Sequence, residues 1–290
     1  MSDRTNAQPL GLYEALLQRR SVRRYAKEPL SSETLQEVQQ LAQATKPLFE
    51  ANRLRVMLRD VVSGEDLVAA MGSCGRALSP PHFLLPALVG DCCPLVDLGY
   101  RMQQLVIRLT MRGIGSCYIG TLGRETDVRA RFSLAPDIHI AAFLIFGQPA
   151  TATGGRVINT VIRRAYGSTN RLPVEELFFQ ETFEQPSAPP KSLAKLIAAG
   201  QRTPSALNVQ PWRFLWHKGS LYLFVKAENP RYGGERQQLY RSFDAGLCMA
   251  NLTLALEALK MPGTWHLYEG KARDIPPYPA HLLPIARLQL

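Results

Sequence analysis

Apolar positions recur at helical spacing in Leu35-Gln36-Glu37-Val38-Gln39-Gln40-Leu41-Ala42 and again, 158 residues later, in Leu193-Ala194-Lys195-Leu196-Ile197-Ala198-Ala199-Gly200. Two longer stretches, 97–115 and 244–263, are rich in Leu, Ala, Met and Val on most faces, a pattern that predicts buried helices closed by glycine-containing turns. They share landmarks. Asp97-Leu98-Gly99, Leu105 and Arg112-Gly113-Ile114-Gly115 return as Asp244-Ala245-Gly246, Leu252 and Lys260-Met261-Pro262-Gly263, a shift of 147 residues. Short apolar runs at 54–58, 213–216, 221–225, 138–146 and 285–290 predict central strands covered by helices.

The chain thus repeats itself. The two shifts differ by 11 residues, which places an insertion in the first copy around 63–82, extending to 86, as a loop or lid. Residues 148–172, with Gly154-Gly155 and a basic middle, predict a connector. The expected fold class is α+β: two tandem repeats, each a mixed β-sheet flanked by helices, with residues 1–172 forming the first repeat with its crossover linker and 173–290 the second.

A chain of 290 residues that is 46% hydrophobic and 20% charged has the composition of a soluble globular protein, and it has no run long enough to cross a bilayer. No apolar segment follows Met1-Ser2-Asp3-Arg4, so a cytoplasmic location is expected. Five cysteines include no C-x-x-C pair and five histidines are scattered, which predicts neither a disulfide framework nor a metal site. The net charge of +10 could serve a nucleic acid or a smaller anion. Basic residues are spread along the chain, and the densest cluster, 19–27, lies inside a motif, so the expected partner is a small anionic molecule and neither nucleic acid nor membrane.

Three segments carry the chemistry: Arg19-Arg20-Ser21-Val22-Arg23-Arg24-Tyr25, Pro204-Ser205-Ala206-Leu207-Asn208-Val209-Gln210-Pro211-Trp212, and Arg171-Leu172-Pro173. Together they resemble the nitroreductase family, specifically its tandem-fused, single-chain branch, over nearly all of residues 10–290. The resemblance implies flavin mononucleotide (FMN) as cofactor, NADH or NADPH as transient reductant, and a nitroaromatic or quinone as small-molecule acceptor in a ping-pong cycle. It also implies that the two halves act as a fused pseudo-dimer, expected to be monomeric in solution.

The resemblance further assigns cofactor-binding roles. Arg19 and Arg171, with the Ser21 hydroxyl, suit the phosphate, because a guanidinium offers a planar fork of donors, and Arg20 is expected among the cofactor-binding residues. Arg23 would lie near flavin N1 and the C2 carbonyl. Pro204, Ser205, Ala206, Asn208 and Gln210 form the second wall, with the Asn208 amide matching donor and acceptor groups of the pyrimidine edge. Backbone N–H groups at Gly120 and Thr121 would face N5 and O4. No side chain is expected to act as acid or base, because the flavin carries the chemistry.

The halves have lost complementary parts. At the 158-residue shift Arg19, Ser21 and Arg23 fall on Leu177, Phe179 and Glu181, while Ser205, Asn208 and Trp212 fall on Pro47, Glu50 and Leu54. One complete site is therefore expected, with Glu50 and Glu181 marking the dead one. The alternative is a flavin- or ligand-binding protein of the same fold without turnover, which a pocket blocked by residues 76–86 would favour.

Overall fold

Each periodic segment becomes the element its spacing predicts. The computed structural model describes residues 10–60, 78, 80–150, 170–268 and 274–290; Gly154-Gly155 and residues 63–77 of the insertion lie outside the described residues. Helices α1 (Leu12–Gln18), α2 (Ser32–Gln43), α3 (Pro94–Met111) and α4 (Glu125–Phe132) accompany strands β1 (Arg53–Asp60), β2 (His82–Val89), β3 (Gly115–Gly120) and β4 (Ala142–Gly147). The second half supplies β5 (Phe178–Gln180), α5 (Lys191–Gln201), β6 (Trp212–His217), β7 (Ser220–Lys226), α6 (Glu235–Gln238), α7 (Tyr240–Leu259), β8 (Thr264–Leu267) and β9 (Leu282–Gln289). Among the described residues no helix is long and apolar enough to cross a membrane.

Local signals explain the helix ends. Ser31 caps α2 by accepting from the Thr34 amide, and Pro94 occupies the first turn of α3, where its missing N–H costs nothing. Gly113 ends α3 at φ +72°.

The first sheet has strand order β1-β2-β4-β3 and is antiparallel throughout; the second, β5-β6-β7-β9-β8, has a single parallel pair, β5 with β6. The second sheet is thus mixed, and the four strands of the first pair antiparallel while Ser21 bridges Ser116 of β3 in parallel. One correction concerns 82–86, expected as part of the insertion: it is the start of β2, whose residues pair with β1 from end to end. The proline pair Pro80-Pro81 and Pro86 hide this strand from a propensity reading. Pro86 is accommodated opposite Val56 because the ladder from β2 to β4 covers only 82–84, so no donor is needed on that side.

The two cores interlock. Ala15 and Leu16 of α1 pack into the core of the second sheet, as do Val96, Tyr100 and Ile107 of α3. Reciprocally, Val209, Tyr232 and, from α7, Tyr240, Phe243 and Leu247 enter the core of the first. Helices α3 and α7 cross in backbone contact at the repeated glycines. A Cβ on Gly99 would stand 2.2 Å from the Phe243 carbonyl oxygen, and one on Gly246 would stand 1.9 Å from that of Val96. Gln103 Nε2 donates to Asn251 Oδ1 (2.8 Å) across the same crossing.

Because the atoms in the way are backbone, no rotamer change can relieve a substitution here. Gly246→Ala should lower stability by about 3 kcal/mol, the upper end for overpacking a close-packed site, read as a lower urea midpoint. Gly11→Ala, where a Cβ meets nothing within 4 Å, should leave the midpoint nearly unchanged; equal effects of the two substitutions would refute the crossing.

Candidate functional site

The cationic segment is carried to its place by α1. With Leu16 anchored in the second core and the Tyr13 hydroxyl donating to the Lys195 carbonyl (2.9 Å), the helix ends at Arg19 and the chain extends along β3. There Ser21 bridges Ser116 in parallel, and the Val22 amide donates to the Ser116 carbonyl at 2.9 Å. Residues 19–23 therefore border the first sheet while hanging from the second.

The opposing wall is the loop between α5 and β6. Leu207 (φ 51°), Asn208 (φ 54°) and Gln210 (φ 51°) all lie in the left-handed region, unusual for three non-glycine residues so close together, and such strain concentrates at sites where geometry matters more than local comfort. The loop is tied internally, the Gln210 amide donating to Ser205 Oγ (2.9 Å), and externally to the strap at 170–172. Asn208 Nδ2 donates to the Asn170 carbonyl (2.8 Å) and Gln210 Nε2 to the same oxygen (3.3 Å). The Leu172 amide donates to Gln210 Oε1 (3.0 Å), and Arg171 Nη1 donates to Asn208 Oδ1 (2.7 Å). These bonds deliver Arg171 to the cavity.

Between the walls lies a cavity of about 630 Å³, within the ~300–1,000 Å³ usual for small-molecule sites. Arg19, Arg20, Ser21, Arg23, Gly120, Arg171, Pro204, Ser205, Ala206 and Asn208 all line it. Its apolar wall includes Leu17, Leu78, Leu122, Phe243 and Leu247. Gly120 is required by packing: the Tyr240 hydroxyl, which accepts the Leu122 amide (2.9 Å), would lie 2.1 Å from a Cβ there.

Charge dominates the site. Among the described residues six arginines line the cavity (Arg19, Arg20, Arg23, Arg124, Arg171 and Arg202), with one carboxylate, Asp244. Burial, reinforced by the neighbouring Arg23, pushes Arg19 down to about 10 despite Tyr118 and Cys117. Burial and then the charges of Arg19 and Arg202 push Arg171 down to about 9. Both guanidiniums remain charged at neutral pH, so these shifts measure cationic charge held without a compensating anion. Arg19 Nε is buried with no hydrogen-bond partner among the described residues, a costly arrangement unless a ligand oxygen completes it.

Two sequence-derived positions lie outside the cavity's lining. Thr121 does not line the cavity, and its amide donates to the Ala141 carbonyl at 2.8 Å. Gln210 is buried and does not line the cavity, and its carboxamide bonds the strap at Asn170 and Leu172. The Asn208 amide, expected to pair with a pyrimidine edge, has its oxygen taken by Arg171. Arg124, Arg202, Asp244, Tyr118 and Tyr240 line the cavity without having been singled out. Of these, Arg202 could have been found, since it stands two residues before Pro204, whereas Arg124 and Tyr240 come from other elements and carry no local signal.

The counterpart positions behave differently. Glu181 pairs with His217 (2.9 Å) at the outer edge of the second sheet, because β5 runs parallel to β6 there. It therefore does not stand in a mirror cavity with Glu50, as the repeat alone suggested. A second cavity of about 580 Å³ does include Cys93, Val96 and Leu267, which the 147-residue shift pairs with Tyr240, Phe243 and Gly120. Its arginines are Arg129 and Arg236, the latter bonded to Glu125 (2.9 Å).

Comparison with known proteins agrees with this architecture. Residues 11–233 match the family profile described as "Putative TM nitroreductase". A solved structure from Thermotoga maritima, described as a putative nitroreductase, is 18% identical and superposes with a TM-score of 0.60, covering 99% of this chain and 98% of that one; at this identity the likeness shows the fold. Nitroreductase A from Vibrio parahaemolyticus is 19% identical over 48% of this chain and 68% of its own, with a TM-score of 0.42. The NADPH:FMN oxidoreductase from Vibrio harveyi, solved with NAD+, is 19% identical over 48% and 69%, with a TM-score of 0.41. With the profile spanning most of its length, the chain belongs to the nitroreductase family.

Proposed function

We propose that the chain is an FMN-dependent NAD(P)H oxidoreductase with one flavin site, formed where residues 19–23 of the first repeat face residues 204–208 of the second. The observation that carries this reading is the cationic lining of the 630 Å³ cavity, above all the buried Arg19 Nε, which has no hydrogen-bond partner among the described residues, beside Arg171. A dianionic phosphate joined to a flat, largely apolar ring fits such a cavity, with cations on some walls and aliphatic and aromatic side chains on others.

Arg19 and Arg171 would hold the phosphate, with Arg20, Arg202 and the Ser21 hydroxyl beside them. Arg23 would oppose negative charge at the ring, and Pro204, Ser205, Ala206 and Gly120 would shape its slot. When bound, the flavin supplies the two-electron chemistry, taking hydride from NADH or NADPH and passing electrons to a nitroaromatic or quinone acceptor. The protein's own part is to orient the ring, exclude water and fix positive charge where electron density grows. No side chain is assigned a proton transfer.

Support for a single site comes from the asymmetry of the two cavities, since Leu177, Phe179 and Glu181 leave the second half without a phosphate cradle. The same asymmetry favours a monomer whose two repeats are the family's usual pair of subunits. Among the described residues of the 76–86 segment Leu78 lines the cavity and β2 does not, and turnover is the reading preferred over flavin storage.

Purified protein should bind FMN at one equivalent per chain and oxidise NAD(P)H in the presence of a quinone; two equivalents would sink the single-site reading, and bound flavin without turnover would favour storage. Arg171→Met should weaken FMN binding by about 2–3 kcal/mol, on the order of 30- to 150-fold, as expected for truncating one partner of a desolvated charge pair. Arg19→Met should also weaken binding while making the flavin-free protein more stable by about 1 kcal/mol or more, because it removes a buried, unpaired guanidinium. A destabilised flavin-free Arg19→Met protein would show that the charge is compensated within the fold.

A further inference from the structure

The second cavity, about 580 Å³, also lies within the ~300–1,000 Å³ usual for small-molecule sites, and its chemistry differs from that of the first. It lies where α3 and α7 begin. Cys93 comes from the start of α3, Ser242 from the first turn of α7, Leu267 and Ile285 from β8 and β9, and His139 from the approach to β4, so both repeats build it. Two backbone irregularities shape its wall. Cys93 caps α3 in the left-handed region, at φ 41°. The β7–β9 ladder sets Leu223 opposite Ala286 and Phe224 opposite Pro284, which leaves Ile285 as the extra residue of a β-bulge, a device that re-aims a side chain where strands border a site. The Ile285 carbonyl is not left open, because it accepts the Tyr268 amide at 2.9 Å.

Leu95, Val96, Leu122, Leu239, Leu267 and Ile285 give the cavity an aliphatic body, and Tyr268 is the one phenol or phenyl ring in its lining among the described residues. No carboxylate lines it among those residues. Its two arginines are not equivalent. Arg236 is held by Glu125, to which its Nε donates at 2.9 Å. Arg129 of α4 forms no ion pair among the described residues: its Nη2 donates to the Ile138 carbonyl (3.0 Å), and its Nε is buried with no hydrogen-bond partner. Burial lowers His139 below its ordinary range, with Arg129 and Arg236 adding to the effect and Asp91 and Asp137 opposing it, so the imidazole is neutral at neutral pH. Outside the Arg236–Glu125 pair, the lining therefore carries one cation.

We propose that this cavity is a second ligand site, for an aliphatic monocarboxylate whose charged end lies beside Arg129 and whose chain lies against the aliphatic wall. One cation matches one anion, whereas the arginine-rich first cavity suits a dianion. A wall of leucine, valine and isoleucine suits a flexible chain and offers a flat ring system little to stack on. This site goes beyond the flavin reading and does not rest on it.

The probe is decanoate, titrated calorimetrically into the full chain with and without saturating FMN. One equivalent should bind in either case. Octanoate should bind about 15-fold more weakly, the loss expected for two fewer buried methylenes. Decanol should bind at least about tenfold more weakly, the loss of a hydrogen bond to a charged group. Arg129→Met should weaken decanoate by a similar factor and leave decanol unchanged. Ser242→Phe, which places a ring in the cavity, should abolish binding of both, and it decides the matter if Arg129→Met fails to fold. Arg171→Met, in the first cavity, should leave decanoate affinity as it is.

No binding by wild type, equal affinity for decanol and decanoate, or full affinity in Ser242→Phe would overturn the proposal. Weakening by Arg171→Met together with displacement by FMN would put decanoate in the first cavity and overturn it as well. A second equivalent of FMN that competes with decanoate and is lost in Ser242→Phe would make this a flavin site instead. A chain that binds decanoate with the expected sensitivities and takes up no FMN supports this site and sinks the flavin reading alone.

Discussion

Everything in this fold hangs on two glycines that let α3 and α7 touch backbone to backbone. Gly99 meets the Phe243 carbonyl and Gly246 meets the Val96 carbonyl, so neither helix can be displaced by even one side-chain carbon. That contact fixes how the two sheets face each other. It places Tyr240, Phe243 and Asp244 of one repeat against β3 of the other, and it brings residues 19–23 within reach of residues 204–208. A cavity assembled from distant parts of a chain needs a rigid reference, and a pair of crossed, side-chain-free helix surfaces supplies one.

Around that reference the protein sacrifices local comfort. Arg19 is buried with an unpartnered Nε, Arg171 lies close enough to Arg19 and Arg202 to feel their charges, and three non-glycine residues of one loop hold positive φ angles. Each feature is destabilising in isolation, and each is held by something stronger: α1 by its apolar anchor in the second core, the loop by its bonds to the strap and to Asp244. The cost is concentrated in one place, which is the pattern expected where local strain and buried charge gather at a functional site.

Duplication explains the architecture, and divergence explains why it is lopsided. A carboxylate tie to a backbone amide is present in both halves, Asp97 to Leu48 and Asp244 to Ala206. The cationic segment survives in one. Its counterpart, β5, has become an edge strand whose Glu181 bonds His217. The segment that keeps its arginines runs along β3, while its counterpart β5 runs along β6.

By itself the sequence determined the repeats, both buried helices, most strands and the family, because apolar periodicity and the Pro204 to Trp212 motif are local properties of the chain. It also named most of the cavity's cationic wall, since Arg19, Arg20, Arg23 and Arg171 stand in short recognisable strings. It misplaced β2, whose prolines resemble a loop until the ladder to β4 is seen to stop at residue 84. Tertiary structure alone decided which residues touch the cavity. Thr121 is turned to Ala141 and Gln210 to the strap, while Arg124, Tyr240 and Asp244 arrive from separate elements. The physical reason is that burial, and with it the cationic lining of the cavity, belongs to the space between elements, which no single stretch of sequence encloses.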